Sequence, residues 1–254
     1  MATAQLENIA PLRALNRRTT QLLQWAFIVL AVGALLVVIG LLLTTILLIP
    51  RIHPLFALYD LVGKGLIIIG GLGVVAAAVM SLRAFTRRKE NDLALLTGDV
   101  LNQSNSFDGR YSFIRNINRP GLGYIDAVLL GPPGALVFRI LDTAGNLANE
   151  SAHWMIQGKD DQWAPFPINP TKQAVDDIQA IRNYLTKKGL GEVPVFGIIV
   201  FTAGPGAVKI AEKEPVVPIS HLHSLVQNLS KQYLTKTDRI PQEMVTATRR
   251  LLLE

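Results

Sequence analysis

The chain has no cysteine among its 254 residues. Disulfides, thiolate metal sites and cysteine nucleophiles are therefore excluded. Charge is also scarce: Asp, Glu, Lys and Arg make up 17% of the residues, while half are hydrophobic. With a positive mean hydropathy, the composition is too apolar for an ordinary soluble protein, and the length suits one domain plus an additional module. Only four histidines are present, so no Ser-His-Asp arrangement can be picked out. Internal repeats and low-complexity stretches are absent too.

The net charge of +6 is unevenly placed. Residues 1–90 carry nine bases against three acids, which accounts for the whole excess; the remainder is formally neutral. A nucleic-acid-binding domain usually shows a basic face, and nothing in the neutral part points to one.

Two long apolar runs stand near the start. "LLQWAFIVLAVGALLVVIGLLLTTILLI" (22–49) has no charge and no proline, and "LVGKGLIIIGGLGVVAAAVMSL" (61–82) has one base, Lys64, near its end. A membrane-spanning helix needs ~20 apolar residues, and a cleaved leader has an apolar core of only ~7–15. Both runs therefore read as uncleaved spans within a hairpin over 22–85. Neither contains an acid, which argues against an ion pathway. Arg13, Arg17 and Arg18 precede the first run, and Arg83, Arg87, Arg88 and Lys89 follow the second. The positive-inside rule then puts segment 1–21 and everything after the hairpin in the cytoplasm, a two-pass arrangement in a cell or inner membrane. The basic cluster after the hairpin is expected to favour anionic lipid headgroups in the adjoining bilayer. Gly73, Ala77 and Ser81 recur every four residues. Such a stripe predicts close helix packing, within the hairpin or against a second copy or a membrane partner.

After residue 90 the pattern changes. "RRKENDLALLTGDVLNQS" has helical periodicity, and "RYSFIRNI" (110–117) alternates as a strand. "YIDAVLLGPPGALVFRIL" (124–141) reads as two strands around a Gly-Pro-Pro-Gly turn, with Asp126 in the first and Arg139 in the second. If the two prolines form the tip, Asp126 lies opposite Arg139. Trp154 and Trp163 flank "GKDDQ", a loop or further hairpin. Asn169 and Pro170 predict a helix start, and Lys187, Lys188 and Gly189 its end. "VPVFGIIVFT" (193–202) is a buried strand, and 206–254 is expected to be a helical extension packed on the domain. His221 and His223 are expected on different faces of a helix there, and "FTAGPGAVK" is a plain loop.

This order resembles the nuclease-related (NERD) domain, a member of the restriction-endonuclease-like α/β (α+β) fold, over residues 90–205. The strand–turn–strand "YIDAVLLGPPGALVF", the helix start "NPTKQA" and the following strand "VPVFGIIVFT" carry the resemblance. The resemblance implies a metal-dependent nuclease site with a first-strand Asp, a Glu-x-Lys on the second strand and a Gln at the helix start. Asp and Glu would hold Mg²⁺ or Mn²⁺, and Lys would position the nucleophile or stabilise charge. Here the Asp is Asp126 and the Gln is Gln173, but the Glu and Lys positions hold Arg139 and Leu141. A guanidinium cannot ligate a metal. Glu90 or, through a bulge, Asp142 are the remaining acids that could join Asp126 in an active site.

Three readings follow. The first is a membrane-anchored pseudo-nuclease with no cofactor, an Asp126–Arg139 ion pair in place of the metal, and a binding or scaffolding role at the cytoplasmic membrane face. The second is a divergent metal-dependent nuclease acting on DNA or RNA. The third is an accessory subunit of a membrane complex.

Overall fold

The computed structural model describes residues 6–10, 12–46, 50, 52–104, 106–158, 160–204, 206–235 and 239–254, with only the backbone described for 12–21 and 85–91. The chain forms two compact units, residues 13–89 and residues 1–12 together with 90–254.

The first unit is built from helix α1 (Leu12–Thr45) and the first part of helix α2 (Phe56–Gln103). Leu22–Thr45 and Phe56–Ala84 are long and apolar enough to cross a membrane. The second apolar helix thus begins earlier than the sequence run at 61, because Phe56–Asp60 continue the same helix. Residues 47–49 of the first run lie outside the described residues. Most side chains of both spans face outward, among them Phe27 at 70% and Leu72 at 66% exposure. A surface of that kind suits hydrocarbon, not water.

Glycines hold the two helices together. A Cβ on Gly70 would lie 2.5 Å from the Gly33 carbonyl oxygen, and one on Gly40 would lie 2.7 Å from that of Gly63. Ala26, Ala77 and Ala84 are also buried. The seam therefore repeats every seven residues, at 26, 33 and 40 on α1 and at 63, 70, 77 and 84 on α2, which is the period of an antiparallel pair wound about a common axis. This corrects the stripe expected at Gly73, Ala77 and Ser81. Ala77 belongs to the seam, Gly73 sits beside Gly33, and Ser81 is only partly buried.

The second unit is a mixed α/β structure with two sheets. Ten strands are described: β1 (Glu7–Ile9), β2 (Ser112–Arg119), β3 (Gly123–Gly131), β4 (Gly134–Leu141), β5 (Gly145–Glu150), β6 (His153–Gln157), β7 (Trp163–Pro165), β8 (Val195–Phe201), β9 (Val208–Lys213) and β10 (Ile219–His221). Helices α3 (Pro170–Lys187), α4 (Leu225–Gln232) and α5 (Gln242–Leu253) complete it. The larger sheet has the order β1-β2-β3-β4-β8-β10, and the smaller the order β7-β6-β5-β9. In the larger sheet β2, β3 and β4 are antiparallel, and β4, β8 and β10 are parallel.

Alternation along the strands sends successive side chains to opposite faces. Phe113, Leu129, Phe138 and Ile198 join Leu101 of α2 and Leu229 of α4 on one face. Ile114, Val128, Val137 and Val195 join Ile181 and Leu185 of α3 and Val245 of α5 on the other. The result is a sheet covered on both sides by helices.

Residues 206–254, expected above to be a helical extension, also contain strands. Strand β9 pairs with β5 and β10 with β8, so this stretch completes an edge of each sheet before α4 and α5 begin. His221 accordingly ends a strand, and its ring stacks on His223 with centroids 5.4 Å apart, instead of pointing to another helix face. Segment 1–21 likewise contains a strand, β1, which pairs with β2.

Candidate functional site

The β3–β4 ladder pairs Gly131 with Gly134 and continues to Ala127 with Phe138. The turn between them is buried and locked by its surroundings. Gly134 has φ of 127°, and a Cβ there would lie 2.4 Å from the Pro194 carbonyl oxygen; one on Gly131 would meet the Tyr111 ring. Only glycine fits both constraints at position 134. The Pro132 carbonyl accepts from the backbone N–H groups of Arg239 and Ile240, and the Tyr233 hydroxyl donates to the Gly134 carbonyl. The turn thus sets the register of β3 against β4.

Asp126 and Arg139 alternate onto the sheet face that α3 covers, the side of Val128 and Val137. Asp126 is 4% exposed. Its Oδ2 accepts the backbone N–H of Ile140 at 2.8 Å, and its Oδ1 lies 3.7 Å from Arg139 Nη1. That second distance makes an ion pair without a hydrogen bond. The directional bonds of Arg139 go to α3 instead: Nε donates to Gln173 Oε1 at 3.1 Å, and Nη1 donates to Asp177 Oδ2 at 3.4 Å. One guanidinium therefore serves two carboxylates.

Helix α3 is placed firmly enough to hold this arrangement. Asn169 caps its start by accepting the Lys172 N–H at 2.9 Å, and its side-chain amide donates to the Ala152 carbonyl. Trp154 Nε1 donates to Thr171 Oγ1 at 2.8 Å in the buried contact between the smaller sheet and the first helical turn. One turn further, Gln173 and Asp177 share a helix face at four-residue spacing and meet Arg139.

The electrostatics follow from burial. Loss of water pushes the Asp126 carboxyl above its ordinary value, while Arg139 and the Ile140 N–H pull it back. Burial also raises Asp177, to about 7, with Arg139 opposing and the Asp126 charge adding to the rise. Two carboxylates facing one cation cannot both ionise without a net negative charge in a poorly hydrated place, so one of them holds its proton until near-neutral pH.

Asp177 was not legible as a site residue. The available signal was the Gln-x-x-x-Asp spacing on one helix face, which without the fold is indistinguishable from a solvated acidic pair with Asp176. Leu141 is buried with Trp154 and Phe201 in a third apolar cluster. Asp142 follows the end of β4 and is exposed; the second acid of the cluster is Asp177. The side chains of Glu90, Arg87, Arg88 and Lys89 lie outside the described residues. Among the described residues, no three Asp, Glu, His or Cys side chains converge as a metal site would require. An open groove lined by Lys188, Leu190, Thr246, Ala247 and Leu251 shares no residue with the cluster.

Residues 90–202 match the family model of the nuclease-related domain (NERD). No curated protein and no solved structure matches the chain.

Proposed function

We propose that this chain, which carries a nuclease-related domain over residues 90–202, is a membrane-anchored pseudo-nuclease. Its domain binds or scaffolds at the cytoplasmic membrane face and does not cut nucleic acid. The observation that carries the reading is the Arg139 guanidinium, held between Asp126 and Asp177.

In the family pattern, the position of Arg139 supplies a carboxylate to a divalent metal, and that of Leu141 supplies a lysine. The residues present do not fit such a metal. Arg139 places a fixed positive charge beside Asp126 where a cation would bind, and it offers donors only. Leu141 is closed into an apolar cluster. Asp126 spends one carboxylate oxygen on the Ile140 N–H, which ties β3 to β4. The group is best read as an ion cluster that fastens α3 to the sheet.

Anchoring is supported by the two apolar helices. Arg13, Arg17 and Arg18 on one side of the hairpin and Arg83, Arg87, Arg88 and Lys89 on the other favour a cytoplasmic position for both flanks, and also favour contact with anionic headgroups.

Asp177 supports a second reading, a divergent metal-dependent nuclease. It gives Asp126 a carboxylate partner that the Arg139 position no longer provides, and its proton affinity near neutrality is a property of many catalytic acids.

The deciding experiment uses the full chain in detergent with plasmid and single-stranded DNA and with RNA, with and without Mn²⁺, beside Asp126→Asn and Asp177→Asn. We expect no metal-dependent cutting by the folded protein. Cutting that both substitutions abolish would replace the first reading with the second.

A further inference from the structure

The stretch matched by the family contains β2, β3, β4 and β8 of the larger sheet, but not its outermost strand on the β2 side. That strand is β1, which precedes the first apolar helix. It runs parallel to β2, with Glu7 beside Ser112, Asn8 beside Phe113 and Ile9 beside Ile114. Leu6 is 4% exposed and joins the apolar cluster of Phe113 and Leu101.

The side chains of this segment are individually accommodated. Asn8 Nδ2 donates to Asp99 Oδ1 at 3.2 Å, and Arg115 Nε donates to Asn8 Oδ1 at 3.1 Å. Both ends of the Asn8 amide thus meet charged partners, and burial lowers the Arg115 pKa while Asp99 raises it. Glu7 forms an ion pair with Arg249 of α5. Gly98 leaves the room: a Cβ there would lie 2.6 Å from Asn8 Nδ2. Backbone ladder, buried leucine, bridging amide and ion pair together describe a seat for one extended segment, by the logic of strand addition to an open sheet edge.

We infer that the outer edge of β2, walled by Gly98, Asp99, Arg115 and Arg249, is a strand-docking site whose occupant is this chain's own segment 6–9. Its occupancy makes completion of the nuclease-related unit depend on two-pass insertion of the helices between them. The reason is topological. Segments 6–9 and 112–114 pair only if they meet in one compartment, and two apolar helices separate them in the chain. One crossing would leave them on opposite sides of a membrane, because a strand carrying Glu7 and Asn8 does not pass through hydrocarbon. Two crossings return the chain to the side where segment 6–9 waits. The coupling rests on the reading that α1 and α2 span a membrane; the docking itself does not.

The absence of cysteine makes the test direct. Glu7→Cys and Arg249→Cys are introduced into the full chain, which is expressed in membranes and treated with a short bismaleimide. A protease site placed between α1 and α2 is then cut in detergent. The two fragments are expected to stay joined at the mass of one chain. Fragments that separate although both cysteines have reacted with maleimide would overturn the docking, and so would a product of two chains. Gly98→Leu, which fills the seat of Asn8, is expected to lower the yield at least fivefold. Deleting 22–45 leaves one crossing and is expected to abolish the cross-link; its persistence would overturn the coupling. Extraction of the full chain by alkaline carbonate with the cross-link intact would overturn the anchoring reading and the coupling, and leave the docking standing.

Discussion

The two units of the chain bring their elements together by opposite means. In the hairpin, α1 and α2 meet at glycines and alanines, with Gly33 against Gly70 and Gly40 against Gly63. The larger side chains point outward. In the bilayer proposed above, lipid tails are as apolar as leucine, so burying leucine between the helices would gain little; close backbone approach and dispersion contacts would hold the pair. In the second unit the large apolar side chains are inside, with Phe113, Phe138 and Phe201 fully buried. There the driving force is removal of apolar surface from water, and a charged cluster at Asp126, Arg139 and Asp177 is tolerated because each charge has partners. Small residues hold one unit and large ones the other, the difference that the proposed membrane setting of the hairpin would produce.

The largest break is expected in the charged cluster. Asp126→Ala removes the acceptor of the Ile140 N–H and one of the two carboxylates facing Arg139, which keeps Asp177 and Gln173. The unpaired Ile140 N–H and the weakened ion cluster together cost roughly 3 kcal/mol. Thermal unfolding of the second unit should shift down by several degrees, and an unchanged midpoint would show that the cluster does not fasten α3.

The seam of the hairpin comes next. Gly70→Val would drive a side chain into the Gly33 carbonyl, since even a Cβ lies 2.5 Å away. Overpacking of this kind costs about 1–3 kcal/mol. Leu72→Val, on the outward face, should cost almost nothing. Cysteine cross-linking between α1 and α2 in membranes would read both, and equal effects would contradict the glycine seam.

The smallest effect is a pH dependence confined to the second unit. Asp177 has its folded-state pKa raised to about 7 from an ordinary 3.8, so the folded protein holds a proton that the unfolded chain has lost. The stabilisation is fully present below the unfolded value and is lost as pH rises through about 7. Discounted for partial exposure, it amounts to roughly 1–2 kcal/mol. The unit should therefore gain stability against denaturant between pH 8 and pH 5, and Asp177→Asn should flatten that gain. A slope unchanged in the variant would assign the proton to another group.

Local chemistry alone determined a good deal. Unbroken apolar runs give two helices of membrane length, because the hydrocarbon core sets a length and a composition. Asn169 and Pro170 give the start of α3, because cap and first-turn preferences act within a few residues. Period-two alternation and a glycine-bounded turn put Asp126 and Arg139 on one face of adjoining strands. The other decisions needed the assembled fold. Strands β1 and β10 are three residues long, and they form because a partner's edge supplies the hydrogen bonds that so short a segment cannot secure by itself. The glycines of the seam could be counted in the sequence, but which faced which depended on the antiparallel pairing of two helices. Asp177 became part of the site only when α3 lay across the sheet. Its spacing from Gln173 is local, but the guanidinium it shares with Asp126 arrives from a strand more than thirty residues away in the chain, and only tertiary packing brings them within reach.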